Sequence, residues 1–331
     1  MLAYATCADL KHEVEAVLKR LRETNSMSRE EKNNYINARI PEIIEIGAPA
    51  HLTALFYAIS WASSEIVTLL LDNGADPNVK DVGDRNVLMY GSFYGRIENV
   101  KVWFDRFPEW DISSRASLNG NTALSLALGF GPYNRETIGF LIQKGASIHD
   151  VMDSGLSALM VSVWNEDTDI VMLRDLLKRL NEDVINYRAR PRTVKWKLLR
   201  GTAKIMCRTG LSQSSLIRRL AHGDGMTALH YAARRGDMRA VEVLLNAGAD
   251  PYIKTNMGRT SIDVCESFLE IRGVLEKRQR KYKLKNTKNR FLLGNLGKRL
   301  STFDIYIYMM LNMILLSLSF SLSLNLNITY L

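Results

Sequence analysis

Apolar positions recur along this chain with the three-to-four-residue spacing of an amphipathic helix. Ile66, Leu69 and Leu70 fall on one helical face and are typical of this spacing. Glycines that can end a helix in the left-handed conformation follow such faces at positions 74, 145 and 248. Because a short helix cannot bury an apolar face alone, the pattern predicts helices that stack on their neighbours.

A short phrase marks the start of each predicted helix pair and returns at a nearly constant step. Its copies begin at Thr53, Asn86, Thr122, Ser157, Thr227 and Thr260, at steps of 33, 36, 35, 70 and 33 residues. A weaker copy at Thr193 divides the gap of 70. A hydroxyl or amide at a helix start can accept a hydrogen bond from an unpaired backbone N–H. The period predicts about seven stacked helical repeats.

Residues 225–251 resemble the ankyrin repeat. They begin GMTALHYAARRG and end NAGADP, and 69–78 give a second ending, LLLDNGADPN. The resemblance covers about residues 50–276. It implies an all-α ankyrin-repeat solenoid, in which helix-turn-helix repeats are joined by β-hairpin loops and a concave groove binds another protein. It also implies that His230 forms hydrogen bonds between loops.

The chain divides into four predicted parts. Residues 1–50 form an N-terminal helical cap, 51–276 the repeat array, 277–302 a basic linker and 303–331 a hydrophobic tail. Ser28 and Glu31 have the spacing of a capping box, which predicts a helix start within the cap. The array is irregular around 180–222, where a distorted repeat and an insertion both fit the pattern.

The hydrophobic tail has two interpretations. Residues 305–331 carry no charge and are long enough to cross a bilayer, which takes about 20 apolar residues. The preceding basic residues would keep the repeats on the cytosolic side, so we expect a cytoplasmic protein or one that is tail-anchored with its repeats in the cytosol. The alternative is an artefact of the gene model, because Leu or another apolar residue alternates with Ser or Asn over 316–328, and a simple nucleotide repeat would encode Leu-Ser alternation.

The formal net charge of +9 is concentrated near the C-terminus. Residues 277–299 hold ten Lys or Arg and no Asp or Glu, which leaves 34 basic and 34 acidic residues in 1–276. A neutral body argues against nucleic-acid binding. The cysteines at 7, 207 and 265 are far apart, so neither disulfides nor a zinc site is predicted, and a reducing compartment fits best.

No catalytic motif and no metal-ligand spacing occur in the sequence. We therefore predict no enzymatic activity, no cofactor and no metal, and expect a monomer. The enzymatic alternative would place titratable groups of the irregular region together, around Lys195, Lys204 and Cys207.

The predicted partner-binding residues lie seven and eight positions after each repeat start, where the ankyrin resemblance places the concave groove. Aromatic and arginine side chains dominate interface hot spots. The candidates are Trp61, Phe93, Tyr94, Phe130, Trp164, Arg234 and Arg235, with the hairpin-tip residues Asp84, Arg85, Asn121 and Asp224. The alternative is that these rings pack sideways in the core.

The predicted function is a protein-binding adaptor or scaffold. The alternative is a membrane-anchored ankyrin protein that regulates an associated channel or enzyme subunit.

Overall fold

The computed structural model describes residues 2–39, 51–129, 135–165, 169–211, 214–265 and 268–280. Internal contacts divide the chain into residues 1–275 and 276–331, and the fold given below is that of the first unit. The described residues are helical and contain no strand. Isolated backbone bridges, Lys80 to Asn86 and Val151 to Ser157, close two of the hairpin loops.

The stack consists of helix pairs, each with a first and a second helix. The first helices are α1 (Leu2–Cys7), α4 (Ala54–Trp61), α6 (Val87–Phe93), α8 (Ala123–Gly129), α10 (Ala158–Trp164), α15 (Ala228–Arg235) and α17 (Ser261–Val264). The second helices are α2 (Lys11–Glu23), α5 (Ser64–Asp72), α7 (Ile97–Arg106), α9 (Arg135–Gln143), α11 (Ile170–Leu177), α16 (Met238–Asn246) and a last helix that begins at residue 269. Each first helix contacts the next first helix in the order given.

Small side chains allow the first helices to lie close together. Ala58 and Ala232 have no exposed surface, and seven of the eight residues of α4 are buried. Asn99 on α7 is also buried, and its side-chain amide donates to the carbonyl oxygens of Ala58, Ile59 and Ala62 at 2.9–3.2 Å. This amide therefore links α7 to the end of α4 in the preceding pair.

The predicted helix starts are confirmed at several positions. Asn86 accepts a hydrogen bond from the N–H of Met89, and Ser157 accepts one from Met160. Ser28 and Glu31 form the predicted capping box at the start of α3 (Arg29–Ile36). A helix also starts after Thr53 as predicted, but the expected hydrogen bond is wrong there, since the buried hydroxyl oxygen of Thr53 has no hydrogen-bond partner among the described residues.

Residues 180–222 are inserted between two helix pairs that pack directly on each other. Here α10 contacts α15 and α11 contacts α16, so the pair that begins at Ser157 lies directly on the pair that begins at Thr227. The inserted helices are α12 (Glu182–Ile185), α13 (Val194–Arg208) and α14 (Ser215–His222), of which α13 and α14 pack on each other. The expectation that Thr193 begins a stacked repeat is therefore wrong.

The N-terminal cap continues the stack. Its α1 contacts α4 and its α2 contacts α5, so this pair occupies the position of a repeat before the first ankyrin phrase. Asn37, just after α3, donates to the carbonyl of Gly74 at 3.1 Å and accepts from the N–H of Asp76 at 2.8 Å. Asn186, just after α12, makes the same two bonds to Gly248 and Asp250. The two Gly-Ala-Asp loops are thus held in the same way.

Candidate functional site

The ends of α4 and α6 carry an aromatic cluster, which we define as Trp61, Phe93 and Tyr94. All three side chains are half-buried. The ring centroids of Trp61 and Tyr94 are 4.8 Å apart, as are those of Phe93 and Tyr94. Trp61 also stacks on the buried Tyr57 at 5.8 Å. The rings therefore pack sideways on their neighbours and still leave part of each surface accessible.

Trp164 ends α10, as Trp61 and Phe93 end α4 and α6. It is 43% exposed and stacks on the ring of Tyr231 in α15 at a centroid distance of 5.6 Å. Burial raises the pKa of the Tyr231 phenol to about 12, so this ring stays neutral at physiological pH. Phe130, the candidate between the aromatic cluster and Trp164, lies outside the described residues.

The arginine pair at the end of α15 makes contacts within the chain. Arg235 donates from Nη1 to the carbonyl of Val163 at 2.7 Å and pairs through Nη2 with Asp237 at 2.5 Å. It thereby connects α15 to α10, and its guanidinium is committed to contacts within the chain. Arg234 is half-buried, and its Nη1 lies 3.9 Å from the sulfur of Met226.

In the hairpin between Lys80 and Asn86, Asp81 is buried and held by hydrogen bonds, whereas Asp84 is exposed. Burial raises the pKa of the Asp81 carboxyl, but hydrogen bonds from Arg85 and from the Gly83 N–H outweigh burial and hold it below its ordinary value. The Arg85 guanidinium also lies 5.0 Å above the Tyr90 ring. Asp84 is exposed, with a positive φ of 58°. Of these polar candidates, Asp84 projects into solvent and Arg85 is committed to Asp81.

Asp224 is not an accessible hairpin-tip residue, which corrects the expectation from its sequence position. The carboxylate is buried and forms ion pairs with Arg200 and Lys204 of α13. The insertion brings these two cations to the hairpin, which sequence spacing alone did not show. Asn121, in contrast, is half-buried and accepts a hydrogen bond from the Asn119 side chain at 3.3 Å.

The hairpin formed by α13 and α14 lies on the side of the stack where first helices and hairpin loops are found. A cavity of about 380 Å³ separates it from α8, α10 and α15. The lining combines rings and aliphatic side chains with a few polar groups. These residues include Asn119, Asn121, Leu126, Met152, Ser154, Val161, Trp164, Trp196, Arg200 and Tyr231.

Sequence reasoning missed the charge of this insertion. Residues 184–223 hold ten Lys or Arg and no Asp or Glu. Since 1–276 hold 34 residues of each sign, the rest of that range keeps 24 basic against 34 acidic residues. The equal numbers of basic and acidic residues over 1–276 therefore combine a basic insertion with an acidic remainder. Counting charges in windows instead of over the whole body would have revealed it.

The described part of the chain contains neither a metal-binding cluster nor a membrane-spanning helix. No group of three or more His, Cys, Asp or Glu side chains there could hold a metal ion. None of the described helices combines the length and apolar character needed to span a bilayer. The tail at 303–331 and the linker beyond residue 280 lie outside the described residues.

Paired helices, hairpin loops and first-helix stacking define a helical-repeat protein of the solenoid class. Within that class the chain is an ankyrin-repeat protein, because the ankyrin-repeat family model matches residues 51–82 and 224–256. The ankyrin-repeat domain of Bcl-3, a member of the IkappaB family, superposes with a TM-score of 0.53 at 20% identity, over 83% of this chain and 97% of that one. This likeness concerns the fold.

Two further proteins are similar to parts of this chain. The complex of the Bd0816 predatory endopeptidase from Bdellovibrio bacteriovorus with the immunity protein Bd3460 contains a chain with a TM-score of 0.47 and 22% identity, over 67% of this chain and 96% of that one. The mitochondrial disaggregase of Bos taurus is 29% identical over 160 residues, which are 47% of this chain. The match spans only 23% of the disaggregase's length.

Proposed function

We propose that this ankyrin-repeat protein is an adaptor that binds another protein through the aromatic cluster of Trp61, Phe93 and Tyr94. The contiguous packing of these rings across two successive pairs carries the proposal. Trp and Tyr supply large contact areas at interface hot spots. Because the rings already contact one another, a partner would lose little side-chain entropy in ordering them.

The position of the insertion favours partner binding at α4 and α6, because the insertion lies against other helices of the stack. Residues of α13 and α14 line a cavity with α8, α10 and α15, whereas no residue of α4 or α6 lines it. The ends of α4 and α6 carry the half-exposed rings, and Asp84 extends from the hairpin that precedes α6. We propose that the partner contacts these rings and this carboxylate together.

We propose binding and not catalysis. An ankyrin stack is a protein-interaction fold, and the enzymatic alternative needed Lys195, Lys204 and Cys207 to converge. Lys204 is ion-paired with Asp224, and Lys195 is exposed at the start of α13. These positions favour a structural role for Lys204.

The test compares proteins captured by the full chain and by ring-deleted variants. Trp61→Leu with Tyr94→Leu removes both rings and keeps apolar contacts with their neighbours, so the fold should survive. Tyr35→Leu is the matched control, because Tyr35 is an exposed aromatic on α3. Quantitative mass spectrometry should show specific proteins that wild type and Tyr35→Leu retain and the double variant loses by about tenfold or more.

Equal retention by a double variant that melts like wild type would contradict the proposed surface. If the double variant loses its cooperative melting transition, the single variant Phe93→Leu replaces it in the same comparison. Phe93 ends α6 and contacts Tyr94 at the outer edge of the aromatic cluster.

A membrane-anchored form is the second candidate, supported by the absence of charge over residues 305–331. In that form the ankyrin stack would regulate an associated channel or enzyme subunit. Carbonate extraction of membranes from cells that express the full chain tests the anchor. Retention in the pellet supports it, and complete release into the soluble fraction contradicts it.

A further inference from the structure

The inserted hairpin and the stack together line the cavity of about 380 Å³ described above. Its volume falls within the range of about 300–1,000 Å³ that is usual for small-molecule sites. The aromatic walls are Trp164 of α10, Trp196 of α13 and Tyr231 of α15, while Leu126 and Met152 add aliphatic surface. These walls suit a flat or branched apolar body.

Three unsatisfied polar atoms belong to residues that line this cavity. They are the Ser154 hydroxyl, the Trp196 indole Nε1 and the Arg200 Nε, each buried and without a hydrogen-bond partner in the parts of the chain that the structure describes. Ser154 and Arg200 are 3% and 4% exposed. The indole and guanidinium nitrogens can only donate, and the hydroxyl can also donate. Buried donors without acceptors are costly, and three of them in residues that line one cavity indicate an acceptor-rich ligand group.

The charge at the end of the cavity favours an anion. Arg200 donates from Nη1 to Asp224 and from Nη2 to the carbonyl of Ser154, which leaves Nε for another acceptor. Lys204 pairs with the other oxygen of Asp224, so the three ionised groups sum to one positive charge. The lining residues include no Asp or Glu. A ligand carboxylate would complete the charge balance.

We propose that this cavity binds a small organic carboxylate with an aromatic or branched apolar body. The carboxylate accepts from Arg200 Nε, Ser154 Oγ and Trp196 Nε1, and the body lies among Trp164, Tyr231 and Leu126. The ligand contacts both the insertion and the stack, and therefore holds α13 against α10 and α15. This cavity shares no residue with the aromatic cluster, so a negative result for one of the two proposals leaves the other standing.

Calorimetric titration of the full chain with 2-naphthoate tests the site, and 2-naphthamide serves as the uncharged probe of nearly equal shape. We expect saturable one-to-one binding of 2-naphthoate and at least about tenfold weaker binding of the amide, as for the loss of a charged hydrogen-bond acceptor. Absence of saturable binding, or equal affinity for both probes, would overturn the proposal.

A cavity-filling variant locates the bound probe. Val161 lines the cavity and is buried, so Val161→Phe should abolish the titration signal. Val171→Phe is the matched control, because Val171 is an exposed residue of α11 that does not line the cavity. Unchanged affinity in a folded Val161→Phe variant would overturn the assignment.

Ser154→Ala provides an independent check that leaves the volume of the site nearly intact. This change removes one donor, and we expect about threefold to tenfold weaker binding of 2-naphthoate with little change for the amide. It also decides the question if Val161→Phe fails to fold. Equal loss of affinity for both probes, or no loss for either, would contradict the role of the hydroxyl.

Discussion

At the scale of single residues, His230 shows how a repeat motif position acts as a brace between loops. Its Nδ1 accepts from the N–H of Thr227 at 3.2 Å, and its Nε2 lies 3.2 Å from the carbonyl oxygen of Arg259. This is the role that the ankyrin resemblance implies. Burial lowers the pKa of His230 from 6.5 to about 4 and outweighs the hydrogen bond to Arg259, which raises it. The imidazole is therefore neutral in the folded chain.

This pKa predicts an acid-dependent loss of stability. As the pH falls below 6.5, His230 takes up a proton in the unfolded chain, but in the folded chain it stays neutral down to about pH 4. The free energy of unfolding therefore falls between pH 6.5 and about pH 4. The loss from this residue reaches up to about 3 kcal/mol. Urea unfolding at pH 7 and pH 4.5 should show a smaller change for His230→Asn than for wild type. Equal changes would contradict a buried neutral imidazole.

At the scale of elements, the loop at 189–192 takes the position of a repeat hairpin although its helices leave the stack. The N–H of Ala189 donates to the carbonyl of Met226 at 2.8 Å, and the N–H of Arg192 donates to that of Asp153 at 2.9 Å. The loop therefore lies between the hairpins that precede α10 and α15. This backbone pairing explains why Thr193 fits the repeat period while α13 does not join the stack.

Substitution of Gly155 by Ala tests directly whether the loop at 189–192 packs against the hairpin before α10. It has a φ of +84°, and a Cβ atom there would lie 2.0 Å from the carbonyl oxygen of Arg190. Gly258 has a similar φ of +77° with nothing within 4 Å, so it is the matched control. We expect Gly258→Ala to lower the free energy of unfolding by about 1–2 kcal/mol. Gly155→Ala should lower it by about 1–3 kcal/mol more, as overpacking does. Equal losses in urea titrations would contradict the close approach.

Local sequence patterns predicted the features that depend on neighbouring residues. Gly74, Gly145 and Gly248 all adopt the expected positive φ, at 91°, 97° and 99°. The irregular region was predicted at 180–222, but the sequence could not show that its helices leave the stack, because α13 starts at the repeat period. The length of α13, 15 residues against seven in α10, is the local difference, and the contacts of α10 with α15 join residues about 70 positions apart.

At the scale of the whole molecule, the candidate site is only partly a property of sequence spacing. The period correctly placed Trp61, Phe93 and Tyr94 at the ends of first helices, where they remain half-exposed. It could not show that Arg235 bonds to Val163 or that Asp224 is buried by cations from α13. These differences arise from long-range packing, which a periodic pattern does not encode.

The stack of first helices continues across the insertion, because α10 packs directly on α15. Trp164 of α10 and Tyr231 of α15 stack at 5.6 Å, so a double-mutant cycle on this pair tests that continuity most directly. Urea unfolding of Trp164→Ala, Tyr231→Ala and the double variant should give a coupling energy of about 0.5–1.5 kcal/mol. The control cycle pairs Trp164→Ala with Tyr35→Ala and should be additive within about 0.5 kcal/mol. A Trp164–Tyr231 coupling as small as that of the control would contradict a stack that continues from α10 to α15.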